Sequence, residues 1–465
     1  MRKSGILLHI TSLPSPYGIG TLGKSAYDFV DFLESAGQKL WQILPVGHTG
    51  FGDSPYQSFS AFAGNPYMID LDFLCDEGLL KRAEFETVDW GSDPRKTDYG
   101  KIFANRISVL KNIVPRFKET DEYKSFCAEN SFWLNDYSLF MAKKDNPLSC
   151  CEADERLYKI IQFIFCSQWY NLKEYANSKG IKIIGDLPIY VAHDSADVIE
   201  NPNLFELDGN GNPVNVAGVP PDGFSDEGQL WGNPVFDWDY MKKDGYRWWI
   251  KRISHSLRMF DKVRIDHFRG FSSYYSVPAG SRNAVNGFWR NGPSAELFEA
   301  IESEIGKPDI IAEDLGFVDD EVRELMKKTG FPGMKILQFA FDSREESDYL
   351  PHNYDRNCVV YIGTHDNDTL AGWLDNAPAD DVEYAKKYLR LNVEEGFAEG
   401  VIKSAMGSVA DTVILTMQDL LGLGSDARMN IPSVPHGNWC WRALESDFSP
   451  DIAKKLFSIT KLYGR

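Results

Sequence analysis

The stretch Lys262-Val263-Arg264-Ile265-Asp266-His267-Phe268-Arg269-Gly270 decides how this chain is read. Val263 and Ile265, with Phe260 just upstream, alternate as in a short buried strand, while Arg264, Asp266, His267 and Arg269 crowd four titratable side chains around its end. A carboxylate flanked by guanidinium and imidazole in a cleft is expected to stay ionised at neutral pH, because nearby positive charge outweighs partial burial. That is the state a nucleophile needs. Alone, the segment reads more simply as a salt-bridged strand end. Its recurrence elsewhere changes that reading.

Working outward, short apolar segments with polar C-terminal ends recur at residues 6–10, 40–44, 181–186, 263–266, 310–313, 334–341, 359–362 and 413–417. Helix-like stretches lie between most of them, for example at 26–36, 166–178 and 295–305. Strands alternating with helices imply a parallel sheet, and eight such units imply a closed α/β barrel of the (β/α)8 type. The expectation is one barrel domain over 1–465, with long, mainly helical insertions at its C-terminal face and no separate C-terminal β-sandwich. Two intervals exceed a crossover helix. Residues 48–160, beginning with Gly50-Phe51-Gly52-Asp53-Ser54-Pro55-Tyr56-Gln57-Ser58-Phe59, are expected to form a mostly helical subdomain on the rim. Residues 190–239, rich in Gly and Pro yet carrying Phe224 and Trp231, are expected to cover the cleft.

Composition narrows the function. With 43% apolar and 25% charged residues, the 465-residue chain is ordinary globular material. A net charge of −19 argues against nucleic acid and anionic membrane as partners. Twelve Trp and 21 Tyr exceed what a core usually takes, and flat rings that stack on sugar faces are one use for the surplus. The apolar run from Gly5 to Ile10 is too short for a signal peptide, no window approaches the ~18 residues of a membrane span, and seven scattered cysteines show neither metal spacing nor a disulfide framework. A cytoplasmic enzyme is expected, monomeric or weakly associating, with no metal and no cofactor.

A barrel places its catalytic groups where strands end. Asp186, Asp266 and Glu313 close three successive strands, and Asp366 follows the seventh. Four acids at one mouth repel one another, which keeps one carboxyl protonated beside an ionised neighbour. Two such groups on adjacent strand ends suit retaining glycoside chemistry, with Asp266 the better nucleophile and Glu313, with its longer reach and with Asp314 beside it to discourage ionisation, the better acid/base. Asp314 reads equally as a helix N-cap. Two other classes stay open at this point. Asp186, Asp266 and Glu313 could hold Mg²⁺ in a lyase or isomerase barrel, with Lys335 as a candidate base, although Arg264 and His267 bring positive charge to that spot. A non-catalytic sugar-binding barrel could use Trp231 and Tyr56 for stacking.

In order along the chain, Ser54-Pro55-Tyr56 with Gly64-Asn65-Pro66, Gly185-Asp186-Leu187-Pro188-Ile189-Tyr190, Gln229-Leu230-Trp231-Gly232-Asn233-Pro234, Arg264-Ile265-Asp266-His267-Phe268, Glu313-Asp314-Leu315-Gly316, Gly363-Thr364-His365-Asp366 and Gly437-Asn438-Trp439 resemble the 4-alpha-glucanotransferases of the amylomaltase or disproportionating-enzyme type, a branch of the α-amylase clan. The resemblance spans nearly the whole chain. It implies transfer of α-1,4-glucan segments between maltooligosaccharides or starch-type glucans, with Asp266 as nucleophile, Glu313 as acid/base and Asp366 as a third carboxylate gripping sugar hydroxyls. Arg264, His365 and Asp186 match clan positions around the nucleophile and donor sugar. Ser54 and Tyr56 match the donor side; Asp222, Gln229 and Trp231 fall on one covering loop and Asn430 on a second. His267 completes the expected sugar-binding set. The chain departs from the clan in having Val191 where a histidine follows the first-motif acid, which leaves chain-length preference and the share of hydrolysis open.

Overall fold

Each apolar segment is too short to bury itself alone, and in the computed structural model eight of them close around one axis. The structure describes residues 2–50, 52–147, 152–221, 225–316 and 318–465. Among these, the strands in chain order are β1 (Lys3–Leu7), β2 (Leu40–Gln42), β3 (Lys182–Leu187), β4 (Asn215–Val219), β5 (Gln229–Pro234), β6 (Lys262–Ile265), β7 (Ser273–Pro278), β8 (Phe288–Asn291), β9 (Ile310–Ala312), β10 (Gly333–Ile336), β11 (Cys358–Tyr361) and β12 (Thr412–Thr416). The eight-stranded sheet runs β10-β11-β12-β1-β2-β3-β6-β9 with parallel pairing throughout. The (β/α)8 reading is correct.

Period-two alternation sorts the side chains. Leu7, Leu40, Ile184, Ile311, Met334, Ile336, Val359, Tyr361 and Ile414 pack together inside the ring. Val263, Ile265, Ile310 and Ala312 belong to the other, larger core between strands and helices. On β6, Arg264 therefore projects inward between the outward-facing Val263 and Ile265, and Asp266 follows at the rim. The same parity carries Asp186 after Ile184 and Glu313 after Ile311 toward the mouth. Crossover helices such as Lys24–Ser35, Arg247–Met259, Ala295–Ile305 and Asp320–Thr329 form the outer layer, and the C-terminal helix Pro450–Leu462 packs against the first of these.

Between β9 and β10 the ring closes differently. Pro332 has no N–H to give a ladder, but its carbonyl accepts from Ala312 N at 3.0 Å. The Asp314 carboxylate then supplies the next acceptor, taking Met334 N–H at 2.7 Å. A Cβ on Gly333 would lie 2.3 Å from Asp314 Oδ2, so any larger residue there would push the carboxylate off Met334 N–H. Asp314 is thus neither a helix cap nor the group that perturbs Glu313. It fastens the seam of the barrel.

Between β2 and β3 lie helices Leu71–Asp76, Tyr99–Leu110, Asp121–Glu129 and Ser131–Asp145, followed by Glu152–Ser178, which runs into the barrel layer. The expectation of mainly helical insertions overlooks a second sheet. Strands β5-β4-β7-β8 form an antiparallel layer over the mouth. Gly218, Gly232 and Pro234 weaken its sequence signal, and a register shift between Val216 and Gly218 breaks the alternation.

Candidate active site

Strand parity delivers the carboxylates, and Arg264 joins them. Its Nη1 donates to both oxygens of Asp186, at 2.8 and 2.7 Å, and its Nη2 donates to Asp266 Oδ1 at 2.9 Å. Burial raises the Asp186 carboxyl to about 6 against the pull of Arg264, so it remains ionised at neutral pH. Asp186 also accepts from the Tyr56 hydroxyl at 3.1 Å. Asp266 keeps 31% of its side chain exposed to the cleft.

His267, next in sequence, takes a left-handed backbone conformation (φ 52°, ψ 48°). That costs an L-residue roughly 1–2 kcal/mol. The turn aims its N–H at Glu313 Oε2, 2.6 Å away, while Leu315 N–H reaches Oε1 at 2.7 Å. Glu313 is thus hydrogen-bonded to the peptide that directly follows Asp266. Burial, then the charge of Asp266, push the Glu313 carboxyl up to about 8, with Arg264 and the two backbone N–H groups opposing. The two carboxyls share one rim and differ in environment, as an acid and its nucleophilic partner require.

One electrostatic expectation fails. Burial, then the charge of Arg269, lower the His267 imidazole to about 3, so the ring is neutral and, among the described residues, it is Arg264 that pairs with Asp266. The His267 ring instead meets the Trp231 indole edge-on at 4.8 Å.

Across the mouth, Asp366 is 44% exposed on its side chain, with His365 Nε2 at 3.4 Å from Oδ2. Asn430 Nδ2 donates to its Oδ1 at 2.6 Å. His365 stacks on Tyr56 (5.2 Å between centroids, 16° between planes), and Trp439 tilts against both rings. Ser54 joins the group through Tyr56, whose N–H its hydroxyl accepts at 3.2 Å. Gln229 Oε1 accepts the Trp231 indole N–H at 3.2 Å, which fixes that ring over His267. Asp222 lies outside the described residues. Sequence reasoning missed Arg428, whose guanidinium donates to the Asp366 and Asn430 carbonyls at 2.5 and 2.8 Å, and the Gln42–Tyr361 hydrogen bond of 2.7 Å within the ring. Only their inward parity could have flagged the last two.

With this geometry established, similarity to known proteins is specific. A family model described as 4-alpha-glucanotransferase matches residues 8–150 and 149–446. The chain belongs to the 4-alpha-glucanotransferase family. Its relatives include the 4-alpha-glucanotransferase of Clostridium butyricum, 49% identical over 98% of this chain and 100% of the relative, and that of Thermus thermophilus, 44% identical over 100% and 99%. Amylomaltase from Streptococcus agalactiae, solved with acarbose, superposes with a TM-score of 0.96 at 42% identity, each chain fully covered. Like the rest of its 4-alpha-glucanotransferase family, this enzyme transfers glucan segments. The Mg²⁺ reading is not favoured, since the Arg264 guanidinium bridges Asp186 and Asp266, where a divalent ion would have to sit. Among the described residues no helix is long and apolar enough to cross a membrane.

Proposed function

We propose that this enzyme works by double displacement with net retention, on α-1,4-glucans and maltooligosaccharides in the cytoplasm, as a monomer or weak oligomer. Glu313 gives its proton to the glycosidic oxygen while a carboxylate oxygen of Asp266 attacks the anomeric carbon. The reducing-end fragment leaves, and a glucosyl ester forms on Asp266. Glu313 then takes the proton of an acceptor hydroxyl, whose oxygen displaces Asp266 and restores the starting carboxyls. Asp366, steadied by Asn430 and His365, grips hydroxyls of the donor ring, and Tyr56 and Ser54 line the donor side. Arg264 and Asp186 orient the nucleophile. Trp231, held by Gln229 against His267, covers the reacting ring and favours sugar over water as acceptor. The described part of the segment 190–239 closes over the cleft, and that of 48–160 forms its other wall.

The observation that carries this reading is the hydrogen bond from the His267 N–H, the peptide following Asp266, to a Glu313 carboxyl raised above the ordinary range. The test is the product profile from maltotriose alone. Glucose plus a ladder of longer oligosaccharides is expected; shorter sugars only would leave a hydrolase.

A further inference from the structure

The antiparallel sheet over the mouth has two outer strands, β5 and β8, and each carries an indole. Trp231 on β5 is already accounted for. Trp289 on β8 is 43% exposed, an unusual outlay of apolar surface. It lies opposite Tyr275 in the β7–β8 register and meets that ring edge-on at 5.3 Å. Against its face sits the Arg269 guanidinium, 4.1 Å from the ring centroid.

Arg269 is not a loose surface cation. Its Nη2 donates to Ser273 Oγ and to the Asp319 carboxylate, each at 3.0 Å. Asp319 in turn accepts from Val322 N–H and caps the helix after β9. Arg269 therefore ties the loop that follows Asp266 to the loop that follows Glu313, and the charge of Glu313 reaches it. Trp289 is a flat apolar plate fixed to that tie, on the acid/base side of the site. In double displacement the group that exchanges a proton with Glu313 is the departing fragment first and the incoming chain second, so both extend on this side.

We propose that Trp289 is an outer acceptor subsite, stacking its exposed indole on a sugar ring of the incoming α-1,4-glucan beyond the ring that receives the new bond. The inference rests on the transferase reading above. Phe288, the preceding residue on β8 and also exposed, points to the opposite face of the sheet, so comparing the two residues tells which face an acceptor would use.

The experiment compares kcat/KM for maltotetraose and for glucose as acceptors at a fixed donor concentration. Trp289→Ala is expected to lower the long-to-short ratio roughly tenfold, mainly through the KM of the longer acceptor. Phe288→Ala is expected to keep the wild-type ratio, and Trp289→Tyr, which retains a flat ring, to recover most of it. Should Trp289→Ala not fold, Trp289→Leu carries the same test with apolar volume but no ring. An unchanged ratio overturns the proposal. So does an equal loss for both acceptors accompanied by a moved alkaline limb of the pH–rate profile, because that outcome makes Trp289 only a seat for Arg269. A wild-type enzyme that builds no longer oligosaccharides from maltotriose would instead sink the transferase reading itself.

Discussion

The two flanks of the barrel mouth are assembled in different ways. On the flank of β3, β6 and β9, Asp186, Arg264, Asp266 and Glu313 leave neighbouring strands in register and are fastened to one another or to adjacent backbone N–H groups. On the flank of β11, the half-exposed Asp366 is steadied by Asn430 and Arg428, from a segment more than sixty residues downstream. In the proposed mechanism, bond making falls on the sheet, where geometry is fixed by the ladder, and the grip on the sugar falls on loops that can follow a substrate in and out.

The contrast predicts unequal responses to substitution. Asp266→Asn and Glu313→Gln, on the rigid flank, should each lower turnover of maltotriose on the order of 10⁴-fold while the circular dichroism spectrum stays that of the wild type. A loss of less than tenfold would move the chemistry elsewhere. Arg264→Met strands the buried Asp186 carboxylate without its partner, and should cost about 3–5 kcal/mol in urea unfolding. On the loop flank, Asn430→Ala should lower kcat/KM by roughly tenfold and leave the urea midpoint nearly where it was, since it removes one hydrogen bond to a half-exposed group. If Asn430→Ala destabilised the fold as much as Arg264→Met, the distinction between flanks would collapse. The subtlest effect is on titration. In the proposed mechanism Glu313 must hold a proton that is lost as pH rises through its raised pKa, so kcat/KM should fall on the alkaline side near pH 8. Asp266→Asn removes the nearby like charge and should lower the Glu313 pKa, as read by carboxyl-carbon NMR titration.

The first flank was largely legible in the sequence because one rule, alternation along a short strand, places both the apolar neighbours and the acid that follows them. Asp186, Asp266 and Glu313 all obey it. Asp366 and Asn430 do not, and no spacing argument joins residues so far apart; only the resemblance pointed to both. The antiparallel sheet was unreadable for the opposite reason. Segments such as Asn215–Val219 and Gln229–Pro234 are short, glycine-bearing and stabilised by partners from β7, so their local sequence reads as loop. His267 was misjudged because charge density along a chain says nothing about solvation in the fold: the ring that was expected to be cationic is partly buried beside Arg269, which lowers its proton affinity and leaves it neutral. Asp314 was misjudged because its acceptor role depends on a proline that stands eighteen residues later.

That proline leaves the ring with a parting line. Every other neighbouring pair of barrel strands is zipped by a run of amide bonds, whereas among the described residues β9 and β10 are held by one carbonyl and one carboxylate. Brief opening there should expose the amides of Ala312 and Met334 to deuterium sooner than those of Ile265 or Val360. Because Arg264 Nε donates to Met334 Sδ at 3.4 Å, the same breathing should reach the cation that holds Asp266, so on gentle warming catalysis should fade while the barrel as a whole is still intact.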